Sequence, residues 1–469
     1  MGGRRENPGG RTATRPGKRS CRSDRCTPCD RHAAQPARAS GRRERALARA
    51  RPAPLSLGVQ RAYGDRYPLV RVEAPSGPPT SIVLDAGLVH EVLGDRERFR
   101  RPALGPQARR REGLLASDGD LWETQRGLLD PEFVGGRLAS HADTAGDAVA
   151  ALLGTWPAAG EVDLHAEMGT LTLQTITRAL FGRDVSRAQS DAVREALDAF
   201  GEELAFSPLA VVLPDAVRPG PSAAFEAADE TLDAFAREIV DWHRDHDDPP
   251  RSLLTPLAEA RRDPSVELSE NELVDQTALF VTAGHETTAL AVTYALYWLS
   301  RRPAVRERVQ AEADRVLDGD RPRWADLPAL SATERAVRET LRLTPPAWNI
   351  TRETRRPVRL RGRRLDAGEL LFLSPYAHGR DARVWDDPDA FRPARWRGDA
   401  SRAEPAYFPF GSGPRACIGR QLALVEAQFA VAGVLARYDV EVLVDDIEFR
   451  PAVTLQPAGS VPARVEARG

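Results

Sequence analysis

One cysteine stands apart from the other three in this chain. Cys417 lies in Phe410-Gly411-Ser412-Gly413-Pro414-Arg415-Ala416-Cys417-Ile418-Gly419, whereas Cys21, Cys26 and Cys29 fall within the first thirty residues. Residues 420–435, which follow it, contain no Pro, a single Gly and many Ala, Leu and Val residues, as a helix would. Cys417 is therefore expected at or just before a helix N-terminus. Free N–H groups and the positive end of the helix dipole there favour a thiolate over a thiol. Small residues on both sides leave room for something flat and bulky to approach the backbone. A single thiolate with that access suits axial ligation of haem iron. Two plainer readings share the pattern: a small buried hydrophobe, or a tight anion-binding loop ahead of a helix.

A second group sits where polar residues are least expected. Ser269-Glu270-Asn271-Glu272 reads as a capping box, with Leu268 and Leu273 placed for a hydrophobic staple. The apolar run continues to Leu299 and stops at Arg301-Arg302-Pro303. That is about thirty residues, or roughly 45 Å of helix, hydrophobic nearly all round and so buried. Its middle reads Ala283-Gly284-His285-Glu286-Thr287-Thr288. Gly inside a helix costs about 1 kcal/mol against Ala, and a buried carboxylate costs more unless it is bonded. Either the segment lines a wet seam between helices, or the helix is locally broken at a functional site.

Further pairs have suggestive spacing. Glu339-Thr340-Leu341-Arg342 puts an acid and a base on one face of a helix expected over 333–343. Alone, such a pair is a surface ion pair of little worth. Here it precedes Thr344-Pro345-Pro346-Ala347-Trp348 and Phe391-Arg392-Pro393-Ala394-Arg395-Trp396. Far upstream stands Trp122-Glu123-Thr124-Gln125-Arg126.

In this order the motifs resemble those of the cytochrome P-450 family, soluble bacterial type. Phe410, Gly413, Arg415, Cys417 and Gly419 meet every fixed position of Phe-x-x-Gly-x-Arg-x-Cys-x-Gly. The resemblance runs from about residue 54 onward. It implies a mainly α fold with a small β region, a single domain whose long central helix lies over a haem b. Under it, Cys417 is the axial iron ligand in the loop opened by Phe410. Gly284 leaves space beside the iron-bound oxygen, Thr287 hydrogen-bonds that oxygen, Glu286 relays protons, and His285 is structural. Trp122 and Arg126 lie over the haem edge, and Arg126, Arg352 and Arg415 pair with the propionates. Glu339, Arg342 and Arg395 form a buried network that locks the Cys417 loop. Ala394 stands where the family often has Glu.

The implied activity is insertion of one oxygen atom from O2 into a C–H bond of a lipophilic small molecule. Pocket candidates by family position are 97–113, 206–213, the inner face of 270–300, 348–350 and 453–455, with Asn349 and Thr454 as polar anchors. Only 52 residues follow Cys417, so no fused reductase is expected, and electrons would come from a ferredoxin and its reductase. Arg415 and Arg420 are candidates for docking an acidic ferredoxin. Two alternatives are a peroxide-using relative and a non-catalytic haem-binding sensor; the intact Glu286–Thr287 pair argues against both.

The rest of the chain must position these groups. Strands are expected at 67–73 and 80–84 across Pro75-Ser76-Gly77-Pro78-Pro79, helices dominate from 88 to 343, and further strands cluster near 357–374. Length alone would allow several domains. The charge is split: residues 1–52 hold 15 basic against 4 acidic side chains, a net +11, leaving −13 for the remainder of a chain whose total is −2. This reads as a basic disordered arm, 1–52, followed by an acidic globule, 53–469. Cys26-Thr27-Pro28-Cys29 with Cys21 and His32 has the spacing of a small zinc site but no apolar pattern to fold around one. The arm also has the charge to touch nucleic acid or an acidic membrane; for the globule no nucleic-acid partner is expected. Sixty-five Arg against one Lys fits a high-GC bacterial genome. Four cysteines are too few for a disulfide framework, and neither a secretory leader nor a membrane span is expected. A cytoplasmic monomer is the expectation.

Overall fold

The architecture is read from a computed structural model, which describes residues 55–72, 78–102, 113–203, 220–263, 268–319, 321–398 and 405–468. The basic arm with Cys21, Cys26, Cys29 and His32 lies outside the described residues. So do the candidate pocket segments 103–112 and 206–213.

Helices carry most of the chain. They are α1 (Leu55–Tyr63), α2 (Ala86–Gly94), α3 (Gly119–Leu129), α4 (Gly135–Leu153), α5 (Leu164–Phe181), α6 (Arg187–Glu203), α7 (Ala223–Asp245), α8 (Leu254–Ala260), α9 (Glu270–Ser300), α10 (Pro303–Val316), α11 (Ser331–Leu343), α12 (Pro375–His378) and α13 (Arg420–Arg437). The long helix expected from the capping box is α9. The Ser269 hydroxyl accepts from the Glu272 N–H, and the Glu272 carboxylate accepts from the Ser269 N–H. Pro303 opens α10, so α9 ends at the Arg301 cap. Helix α9 packs against α5, α7, α11 and α13, which is why it is apolar on nearly every face.

The expected break in α9 is absent: residues 270–300 are α-helical throughout. Its threonines show why. Thr277, Thr282, Thr287 and Thr293 each donate to the carbonyl four residues earlier, at 2.7–2.8 Å. These four hydroxyls are satisfied by the helix's own backbone and need no distortion.

The β structure is small and lies at the periphery. A five-stranded sheet has the order β1-β2-β8-β5-β3, made of β1 (Leu69–Val72), β2 (Thr80–Val83), β8 (Leu370–Leu373), β5 (Ile350–Thr354) and β3 (Phe99–Arg100); only β2 and β8 run parallel. β4 (Ala159–Asp163), β12 (Pro462–Ala467) and β9 (Tyr438–Val442) form a second sheet with β12 in the middle. Two hairpins join β6 (Val358–Leu360) to β7 (Arg363–Leu365) and β10 (Phe449–Pro451) to β11 (Leu455–Pro457). The strands after residue 437 were not anticipated. They are short, and the alternation is clear only in β9 and β12. The core centres on the C-terminal half of α9, α4 and α13, with a second cluster around α5, α6 and α7.

Candidate active site

The Cys417 loop is built by backbone bonds that only a glycine-rich segment can make. The Cys417 N–H donates to the Phe410 carbonyl at 2.9 Å, closing the loop, and Ala416 N–H donates to Gly413 at 3.0 Å. Gly411 and Gly413 have φ of 72° and 71°, a region that side chains disfavour. Gly413 is further constrained, because a Cβ there would lie 2.4 Å from the Leu93 carbonyl at the end of α2. Ser412 Oγ lies 3.0 Å from His90 Nδ1 of the same helix. α13 begins three residues after Cys417, as expected.

Cys417 keeps accessible surface although it lies deep in the fold. Burial pushes its thiol up, against the expected stabilised thiolate, while the Gly419 N–H, Arg126 and Arg420 pull it back down. Ala283, in the middle of α9, is likewise accessible between buried neighbours Val281 and His285. Accessible surface at such depth marks internal space. Near it stands excess positive charge. Burial and the neighbouring Arg415 push Arg101 down to about 10; burial, Arg101 and Arg415 do the same to Arg352. Arg352 is 6 % exposed, and among the described residues its side chain donates only to the Thr351 carbonyl, at 2.9 Å. Arg415 pairs with Asp118 at 2.9 Å. One sulfur donor and three clustered guanidiniums suit a flat metal macrocycle bearing two carboxylates.

Trp122 is buried between two guanidiniums, Arg96 and Arg415, each 4.6 Å from its ring centroid. Arg126 grips the loop: it donates to the Ala416 carbonyl at 2.9 Å and pairs with Asp130 at 2.7 Å. Arg101 was missed as an individual residue. It follows Phe99-Arg100 at the end of β3, and nothing in that sequence marks it off from the other arginines.

In α9 the side chains divide by direction. The Thr287 hydroxyl donates to Ala283 at 2.7 Å. Glu286 turns toward β11, where Gln456 Nε2 donates to it; burial pushes its carboxyl up, and Gln456 and Thr454 pull it down. The α-carbon of Gly284 faces α5, because a Cβ on it would meet Ile176 Cδ1 at 2.5 Å. Its smallness therefore serves contact between α9 and α5. His285 is buried and pushed down to about 4 by burial; Thr172 of α5 donates to its carbonyl at 3.0 Å. Asn349 Oδ1 is buried with no partner among the described residues.

Glu339, Arg342 and Arg395 are brought together. Glu339 Oε1 accepts from Arg342 Nη2 at 2.8 Å, Arg395 Nε at 2.9 Å and the Arg392 N–H at 2.8 Å; Oε2 accepts from Arg342 Nε at 3.0 Å and Trp396 Nε1 at 2.9 Å. Trp396 packs on Tyr407, with centroids 4.6 Å apart, and Tyr407 leads into the Phe410 loop. Ala394 in place of Glu leaves this network complete.

The family model described as Cytochrome P450 matches residues 59–460. The chain belongs to the cytochrome P450 family. Cyclooctatin synthase of Streptomyces melanosporofaciens is 34% identical over 372 residues, which is 76% of this chain and 77% of that protein. Cyclooctat-9-en-7-ol 5-monooxygenase of the same organism is 31% identical over 392 residues, 80% and 83% of the two chains. Pentalenene oxygenase of Streptomyces avermitilis is 32% identical over 332 residues, 70% and 73%. This P450 is a bacterial-type monooxygenase that uses a haem-iron cofactor, O2 and an external source of electrons. Among the described residues no helix is long and apolar enough to cross a membrane.

Proposed function

We propose that this P450 hydroxylates a C–H bond of a largely apolar ring compound of the terpenoid kind, with haem b held by Cys417. The observation that carries it is the Cys417 loop set beside the Arg101–Arg352–Arg415 cluster. Two relatives are named for cyclooctat-9-en-7-ol and pentalenene, which supports such a substrate. Asn349 and Thr454 would anchor its few polar groups. Electrons come from a ferredoxin and its reductase. The catalytic globule spans 53–469, with 1–52 outside it.

The haem supplies O2 binding and C–H oxidation when bound. The protein does the rest. Phe410, Gly411 and Gly413 shape the loop that presents Cys417. The N–H of Gly419 and the charges of Arg126 and Arg420 temper the sulfur. Arg352, Arg415 and Arg101 hold the carboxylates. Glu286, kept in place by Gln456, stores a proton at its carboxyl, and Thr287 passes it on from its hydroxyl. This acid–alcohol pair favours O2 over peroxide as oxidant.

The test is the carbon monoxide difference spectrum of the reduced protein beside Cys417→Ala. A strongly red-shifted Soret band is expected in the parent alone. Its absence from haem-loaded parent would refute thiolate ligation. Product formed from a pentalenene-like hydrocarbon with NADPH, ferredoxin and reductase, but not with peroxide, would separate the oxygenase from a peroxygenase.

A further inference from the structure

Glu286 meets two sets of polar groups leading outward, and they differ in what they can carry. The first passes through the β10–β11 hairpin. Glu202 of α6 pairs with Arg450 Nη1 at 3.1 Å, Arg450 Nη2 donates to Gln456 Oε1 at 2.8 Å, and Gln456 Nε2 donates to Glu286. Gly201 makes room for this amide, since a Cβ there would lie 2.4 Å from Gln456 Oε1. A guanidinium that stays charged and a neutral amide pass no protons near neutral pH. This chain positions Glu286 without feeding it.

The second is a cavity. It is lined by His165 and Gly169 of α5, Arg194, Leu197 and Asp198 of α6, and His285 and Glu286 of α9, and its volume of about 10 Å³ for a water's centre gives room for a single water molecule. At its inner wall the ring of His285, a residue 3 % exposed, leaves Nε2 without a partner among the described residues. A buried ring nitrogen in a polar cavity calls for water. At the outer wall the Asp198 side chain is 39% exposed, so it touches solvent as well as the cavity. The charged and titratable groups around it are His165 of α5, Asp163 at the end of β4, Arg194, Asp198 and Glu202 of α6, Arg450 of β10, and His285 itself. Burial pushes His165 down while Asp198 and Asp163 pull it up. Burial pushes Asp198 up while His165 and Arg194 pull it down.

We infer that this cavity, holding a single water, is the proton inlet of Glu286, with Asp198 and His165 as its entry pair and His285 Nε2 as its inner wall. The inference rests on the proposed function in one respect: it takes Glu286 as a proton carrier. Only protons move. Glu286 releases one inward and regains one from cavity water. The water is reprotonated by the His165–Asp198 pair, and that pair by bulk solvent.

The test uses the haem-loaded, reduced, carbon monoxide-bound protein with 15N-labelled histidine. NMR gives the rate at which the His285 ring proton exchanges with water. Asp198→Asn is expected to slow this exchange about tenfold. Gly169→Val should slow it too, because a Cβ at 169 already lies 3.3 Å from His285 Cε1. Alongside, Asp198→Asn should raise the solvent isotope effect on NADPH-driven O2 consumption with ferredoxin and its reductase. Ring exchange at the parent rate in Asp198→Asn overturns the inlet. Slowed exchange with an unchanged isotope effect also overturns it, since the cavity would then admit water without supplying Glu286. The exchange readout needs no turnover, so it fails separately from the monooxygenase reading.

Discussion

Glu339 shows how a full set of partners makes a fully buried carboxylate tolerable. It accepts from two arginines, a tryptophan and a backbone N–H while wholly inaccessible. Burial pushes its carboxyl up, but Arg342, Arg395 and the Arg392 N–H outweigh that, and the net shift is down. A depressed folded value means that its contribution is present above the unfolded carboxylate range, about 4.3, and is lost as pH falls through the folded value. Glu339→Ala leaves Arg342 buried and uncompensated, at a cost of about 3–5 kcal/mol. Urea unfolding at neutral pH would measure it, and a loss below 1 kcal/mol would contradict the network's role. At this scale the sequence was partly legible. Glu339, Arg342 and Arg395 stood out by spacing and order, yet Arg101 was one arginine among sixty-five. Its distinction is a partly buried place beside Arg352 and Arg415, which only the fold creates.

At the scale of elements, local chemistry was readable and packing was not. The limits of α9 followed from Ser269, Glu272 and Pro303, because caps and breakers act within a turn or two. The expected break at Gly284–Thr287 failed because back-bonding threonines satisfy themselves within the helix. Gly284 itself belongs to the α9–α5 contact through Ile176. Gly284→Ala should therefore destabilise by about 1–3 kcal/mol through overpacking, and Ile176→Ala in the same chain should recover part of that loss. A double-mutant cycle in thermal unfolding reads the coupling. Strict additivity would mean that the glycine serves some other surface of the helix.

Across the whole molecule, burial leaves His141, His243, His285 and His378 below the ordinary histidine value. The native state then binds fewer protons than the unfolded chain once pH drops below about 6.5. Stability is full above that value and falls from there toward the folded values, about 4 for His285. The melting temperature should decline steadily between those limits, before the carboxylate networks titrate. A flat profile across that window would show that these rings are solvated rather than buried. The mainly helical, single-domain plan was legible through the motif series. The β4–β12–β9 sheet was not, since β4 pairs with β12 from about 300 residues away along the chain.

That separation has a consequence for synthesis. α5, the helix packed against the middle of α9, starts directly from β4, and the first N–H of α5 donates to the Val461 carbonyl just before β12. On the ribosome, β4 would emerge long before the strand that pairs with it. The nascent chain would carry an open strand edge at the foot of α5 through most of translation. Stalling or truncation within the last strand would thus strand that edge, and a polypeptide already bearing Cys417 and its loop would still be prone to aggregate.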